Sequence, residues 1–413
     1  MPWKCRRRRC AWLAPGVAVL VGVALGGCAA PIGMLEPAPV PAPDATHLDI
    51  LVATTRAAST DAGVLFSGER GEASLASFVV SIPSDERRQI GQVQWPRTLP
   101  PDPNTEFATL DIKRLSGSRQ FESWLGRHAD KNRRVLVFVH GFNTRFETAL
   151  FSFAQIFHDS GAQAAPILFS WPSRGGVFNY VYDRESAAFS RDALEKLLRR
   201  LAASPDVREI TVLAHSMGAW LTMESLRQMA IRDGRLPGKV QNVILASPDL
   251  DVDVFRAQFR SFGEKRPSIV VFLSRQDRAL QLSRGIGGNV ERLGAIDPSE
   301  QPWIGEKGVE VVDLSDTAGA DPLRHSKFAQ NPDVVRFLGE ELINGASRAP
   351  PTGFGERMGE LSTGVVQGVG GVAGIAVNAP IAIVDPDFRR AYADRLQQFR
   401  EAVNSAVASG PDR

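Results

Sequence analysis

Short apolar runs alternate with longer stretches of helical periodicity along most of this chain. Val135–Val139, Ala165–Ser170, Glu209–Ala214, Val240–Ala246, Ser268–Leu273 and Val309–Leu314 are rich in β-branched residues and almost free of charge. Such runs suit strands buried on both faces of a parallel sheet. Between them, Phe146–Phe157, Arg184–Leu201, the segment following Ser216 and a stretch near Asp253–Phe262 carry apolar residues at helical spacing. Strand and helix in alternation predict an α/β fold, a mostly parallel sheet with helices on both faces. Ahead of this, Leu48–Ala53, Phe78–Ile82 and Ile90–Trp95 read as strands separated by polar, Gly-rich loops. No helical pattern accompanies them, so they are expected to form an antiparallel edge of the same sheet.

The two ends of the chain break the pattern. Lys4 and Arg6 to Arg9 precede Ala11–Gly27, a stretch without charge, which is the make-up of a secretion signal. The stretch closes on Leu25-Gly26-Gly27-Cys28, similar to the lipidation site of bacterial lipoproteins, and predicts export with a lipid on Cys28, an uncleaved membrane anchor or ordinary signal cleavage being the alternatives. Removing residues 1–27 takes away five positive charges, so the formal charge moves from +2 to −3. The near balance of 48 basic and 46 acidic residues, with no basic patch, argues against nucleic acid as a partner. All three cysteines, Cys5, Cys10 and Cys28, fall in this leader, leaving no internal disulfide to expect. Residues 28–47, rich in Pro and Ala, read as a tether, 48–130 as the edge strands, 131–348 as the α/β core and 349–413 as a Gly-rich tail ending in a helix. Leu361–Val384 has no charge but many glycines, and is assigned to packing against the domain or a partner, with a disordered linker or membrane contact as alternatives.

Chemistry concentrates at the join between the run 209–214 and the helical stretch after it. Ala214-His215-Ser216-Met217-Gly218 places small residues two positions either side of a serine, as a sharp strand-to-helix turn requires. Ser216 is then an exposed nucleophile at the elbow, and the Met217 N–H faces a developing oxyanion. A serine needs a base, and the base an orienting acid. Of six histidines only His325 follows the last strands; His215 is expected to point away and His140 to buttress its loop. Asp277, just beyond Ser268–Leu273, is the expected acid, with Asp251 or Asp249 as the alternative. The cluster Asp249, Asp251 and Asp253 fails as a calcium loop because Val254 and Arg260 stand where glycine and glutamate are needed. His140-Gly141-Phe142-Asn143 should supply the second oxyanion donor through Phe142, or else Asn143. Short connections leave no room for a large cap domain. The expected cover and substrate contacts are Trp171, Tyr180 and Tyr182 on the loop Trp171–Asp183, together with Asn143.

His140-Gly141-Phe142-Asn143, Phe169-Ser170-Trp171-Pro172-Ser173, the serine pentapeptide, Ala246-Ser247-Pro248-Asp249, Ser274-Arg275-Gln276-Asp277 and His325-Ser326 together resemble the bacterial α/β-hydrolases grouped as domain of unknown function 900. Ala53-Thr54-Thr55-Arg56 and Val80-Ser81-Ile82-Pro83 extend the likeness to roughly residues 48–345. The resemblance implies the fold and a triad of Ser216, Asp277 and His325, and implies no substrate. The expectation is an exported, lipid-anchored serine esterase of the cell envelope, acting on an ester-bearing small molecule or lipid without metal or cofactor. Acyl transfer to a lipid or glycan, or an envelope interaction role without turnover, are the alternatives.

Overall fold

The computed structural model describes residues 33–38, 42–61, 63–129, 131–301, 308–317 and 321–343. Nine strands among them form one sheet: β1 (Thr46–Ala58), β2 (Phe66–Ile82), β3 (Ala108–Leu115), β4 (Arg134–Val139), β5 (Ala165–Ser170), β6 (Glu209–His215), β7 (Val240–Ala246), β8 (Ser268–Leu273) and β9 (Val309–Asp313). Their spatial order is β3-β2-β1-β5-β4-β6-β7-β8-β9. Only the β1–β2 and β2–β3 pairs are antiparallel; every pair from β1–β5 to β8–β9 is parallel.

The period of two along each strand sorts the sheet into two buried faces. Val135, Val137, Val139, Ile167, Phe169, Ile210, Val212, Val243, Leu245, Ile269 and Val271 join one core cluster. Over them lie α1 (Gly117–His128), α3 (Tyr180–Ala203), α4 (Met217–Asp233) and α5 (Val252–Arg260), through residues such as Trp124, Leu198, Leu226 and Phe255. The alternate residues meet α2 (Phe146–Ser160) and the C-terminal helical turns: Phe138 stacks on Phe153 at 5.2 Å and Phe272 meets Phe337 at 6.4 Å. Cover on both faces explains why the central strands read as unbroken apolar runs.

The N-terminal part departs from expectation. Residues 90–95 form no strand. Gly91 at φ +84° sits in a turn closed by Gln92 N–H donating to Gln89 O. The third antiparallel strand is β3, whose outer half carries Lys113 and Arg114 in solvent; charge on an edge strand discourages further pairing and hides its alternation. β1 is interior, since its other side pairs with β5. A helix does cover this region: α1 buries Phe121, Trp124 and Leu125. Part of the expected tether is docked, with Met34, Leu35 and Ala42 buried and Ala38 N–H donating to Thr109 O at 2.8 Å. Cys28, the leader and the tail after residue 343 lie outside the described residues.

Candidate active site

Ser216 occupies a backbone conformation that L-residues avoid, φ 53° and ψ −121°, between β6 and α4. The strain is held by neighbours: Ser216 N–H donates to Ala246 O at 3.0 Å, and its carbonyl accepts from Ala219 N–H at 3.0 Å and Asp249 N–H at 3.1 Å. Close approach explains the small residues around it. A Cβ on Gly218 would stand 2.3 Å from His140 O, and one on Gly141 would stand 2.9 Å from Ser216 Cβ and 3.0 Å from His215 Nδ1. The loop after β4 is thereby packed against the serine. The N–H groups of Met217 and Phe142 find no acceptor among the described residues. Asn143, at φ 56°, donates its N–H to Asp183 at 3.3 Å, so Phe142 is the loop's free donor.

His325 and Asp277 meet across 48 residues of sequence, Nδ1 to Oδ2 at 2.6 Å. Asp277 is fully buried, and its other oxygen accepts from Leu280 N–H at 3.0 Å, capping the helix α6 (Arg278–Ile286). One carboxylate therefore anchors both a helix and an imidazole. The His325 ring, 14% exposed, lies 4.7 Å from the ring of His215, the residue before the serine. His215 thus does not turn away; it packs between His325 and Phe328, whose ring is 4.9 Å off. Burial alone would lower the pKa of His325, but the charge and hydrogen bond of Asp277, then Asp321 and Asp249, outweigh it and raise the value. His215 is driven the other way, well below the usual range, by burial and by the neighbouring His325 and His140. His140 is pushed down to about 3 by burial and by Arg56. Of the three imidazoles near the elbow, His325 alone is held above its ordinary value.

The alternative acids are engaged elsewhere. Asp251 caps α5, accepting from Asp253 N–H at 2.8 Å and Val254 N–H at 3.0 Å. Asp249 is buried beneath Tyr180, whose hydroxyl donates to it at 3.0 Å. It also accepts from the Ser283 hydroxyl at 2.5 Å and faces Arg292 Nε at 3.4 Å. Tyr180 belongs to the wall of the site, its ring standing edge-on to Phe142 at 5.3 Å. The other two aromatics are engaged with the protein itself. Trp171 is fully buried, stacked on His140 at 4.9 Å and donating to His140 O at 2.8 Å. Tyr182 donates to Gly68 O and Glu69 between the guanidinium groups of Arg70 and Arg174. The expected cover loop is shorter than the sequence implied, because α3 begins at Tyr180.

Four positioning residues carried no role in the sequence reading. Arg56, fully buried, lies where β1 breaks register with β2, and a bulge re-aims a side chain in this way. Its guanidinium donates to Ser170 Oγ at 2.8 Å, Ser173 O at 2.9 Å, Ser67 O at 3.2 Å and Thr144 O at 2.7 Å, tying β5 to the His140–Thr144 loop. Asp183 accepts from Ser173 Oγ at 2.5 Å and Arg174 N–H at 3.1 Å as well as from Asn143; burial raises its pKa. Asp321 accepts from the N–H groups of His325 at 2.6 Å and Ser326 at 2.9 Å, and Lys327 Nζ donates to Leu314 O and Ser315 O, so the His325 loop is pinned on both sides. Only the Ala53-Thr54-Thr55-Arg56 segment gave a hint for Arg56, as part of the family resemblance.

Among the described residues no cluster of His, Cys, Asp and Glu is arranged as a metal site, and no helix is long and apolar enough to cross a membrane. An uncharacterized protein of Nostoc sp. is 29% identical over 160 residues, a match covering 32% of this chain and 39% of that protein. The chain thus spans about two fifths of the curated relative it matches. Solved structures similar to it include the siderophore hydrolase of Aspergillus nidulans (14% identity, 76% of this chain and 99% of that one, TM-score 0.34). Carboxyl esterase 2 of Tuber melanosporum (12%, 79% and 97%, 0.31) and a CIB-like hydrolase of Thermoplasma acidophilum (15%, 52% and 88%, 0.31) are others. The sequence model of the α/β hydrolases of unknown function (DUF900) matches residues 118–344, more than half of the chain and the whole span from α1 past His325. The chain belongs to that α/β-hydrolase family.

Proposed function

We propose that this α/β hydrolase cleaves carboxylic esters through Ser216, His325 and Asp277. His325 uses Nδ1 for Asp277, which leaves Nε2 for the serine proton. Ser216 Oγ attacks the ester carbonyl as His325 takes that proton, and the N–H groups of Met217 and Phe142 receive the oxyanion. His325 then protonates the departing alcohol; water, deprotonated by the same imidazole, releases the acid and restores the serine. Asp277 keeps the ring in the tautomer this needs and steadies the imidazolium. The observation that carries the reading is the 2.6 Å His325–Asp277 bond standing beside a strained serine elbow. The lowered basicity of the buried His140 and His215 supports His325 as the base.

A fluorophosphonate probe, with a panel of aryl esters of graded acyl length, tests it. Labelling and turnover are expected in the wild type and absent in Ser216→Ala. Labelling that survives the substitution would exclude this serine, and a wild type that neither labels nor turns over would leave a binding role. We further propose that the enzyme works at the cell envelope, held by a lipid on Cys28; Cys28→Ala should release it from the membrane fraction.

A further inference from the structure

Arg184 is a cation that the rest of the site leaves unpaired. It lies on α3, one turn after Tyr180, and its guanidinium sits 3.9 Å over the ring of Trp220. Trp220 is one turn after Ser216 on α4. Side chains four apart on a helix are neighbours at about 5–6 Å between Cβ atoms. The Arg184–Trp220 pair thus joins the first turns of the two helices that begin at Tyr180 and just after Ser216.

Among the described residues Arg184 makes no hydrogen bond and no ion pair; its close contact is with the Trp220 ring. The carboxylates whose charge it feels are Asp249 and Glu224. Both are taken. Asp249 holds Tyr180, Ser283 and Arg292, as described, and Glu224 faces Arg227 at 3.3 Å and Arg191 at 3.8 Å and accepts from Gln258 at 2.8 Å. The Arg292 charge adds to that of Arg184. Burial lowers the pKa of Arg184, as it does for any half-buried cation without its own counter-ion. A planar guanidinium with one face on an indole and its N–H edge unfilled is built for a two-pronged bond to carboxylate or phosphate.

We infer that Arg184 receives an anionic group, a carboxylate or a phosphate, carried by the ester on which Ser216 acts. The reacting end of that statement rests on the proposed esterase activity; the anion site does not.

Two measurements separate them. In calorimetry, glutarate and glycerol phosphate are titrated into the wild type, R184Q and R184K, whose melting temperatures confirm folding. At least one anion should bind the wild type, about tenfold or more weakly in R184Q, as for loss of a charge-assisted hydrogen bond, with R184K between. The arm that binds tells carboxylate from phosphate. In kinetics, an aryl butyrate is compared with the matched aryl hemiglutarate. The charged ester should be preferred in kcat/KM by about tenfold or more, the ratio collapsing towards one in R184Q and shrinking as salt rises. Failure of both anions to bind, or a preference that survives R184Q, overturns the inference. Anions held through Arg184 without any ester turnover would sink the esterase reading alone, and turnover blind to charge would overturn the inference while leaving the esterase reading standing.

Discussion

Replacing Arg56 by methionine separates the construction of the site from its chemistry. The guanidinium is fully buried, and burial, its largest perturbation, lowers its pKa from the ordinary value to about 10. At about 1.4 kcal/mol per pH unit, keeping the charge there costs roughly 3 kcal/mol. The hydrogen bonds to Ser67 O, Ser173 O, Thr144 O and Ser170 Oγ offset that cost. Arg56→Met relieves the charge but strands three carbonyls. At about 2 kcal/mol each that is ~6 kcal/mol, leaving a net loss of about 3 kcal/mol. The melting temperature should fall by about 6–12 °C, at 2–4 °C for each kcal/mol. The larger effect is expected in turnover. Thr144 O is the anchor of the loop that presents Phe142 N–H, and misplacing one oxyanion donor costs about 10²–10³ in kcat. KM should change far less, because the donor acts on the transition state. Arg56→Lys keeps a charge but not the fork, and should recover little. Melting and steady-state kinetics on one aryl ester decide the matter. A methionine variant whose kcat stays within about threefold of wild type, whatever its melting temperature, would refute the claim that Arg56 sets the oxyanion loop.

Asp277→Asn should reduce kcat by about 10⁴ by spoiling the imidazole tautomer, whereas Asp251→Ala should cost only ~1 kcal/mol of stability, as a lost helix cap, with kcat unchanged. Comparable losses of kcat in both would reopen the choice of acid. His325 must be neutral to act, and Asp277, Asp321 and Asp249 raise its pKa against burial. The acid limb of kcat/KM should therefore lie above the ordinary imidazole value, and Asp321→Asn should move it to lower pH. The same shift stabilises the fold below the ordinary imidazole pKa, a contribution lost as pH climbs through the raised one. His140 and His215, held neutral, should add no second limb. Gly141→Ala should abolish turnover, because its Cβ would press on Ser216 Cβ at 2.9 Å and His215 Nδ1 at 3.0 Å; wild-type kcat in that variant would mean the loop yields.

The sequence by itself determined the parallel core, since a strand covered on both faces must be apolar throughout, and Val135–Val139 and Ala165–Ser170 could be little else. It also determined the elbow, because small residues at 214 and 218 around a serine answer a local steric need. Chain order in α/β hydrolases then nominated Asp277 and His325, 48 residues apart. Local rules had no purchase where partners are chosen by distant chain. Ile90–Trp95 has strand composition, yet Gly91 turns there and the charged edge strand β3 takes its place. Trp171 has the look of a substrate contact, and became the floor under His140. Arg56 is a lone arginine in an apolar strand until the β1 bulge aims it at carbonyls from three other segments. Only the tertiary structure decided these, because the donor–acceptor pairs that fix a buried polar group come from residues that sequence spacing cannot bring into register.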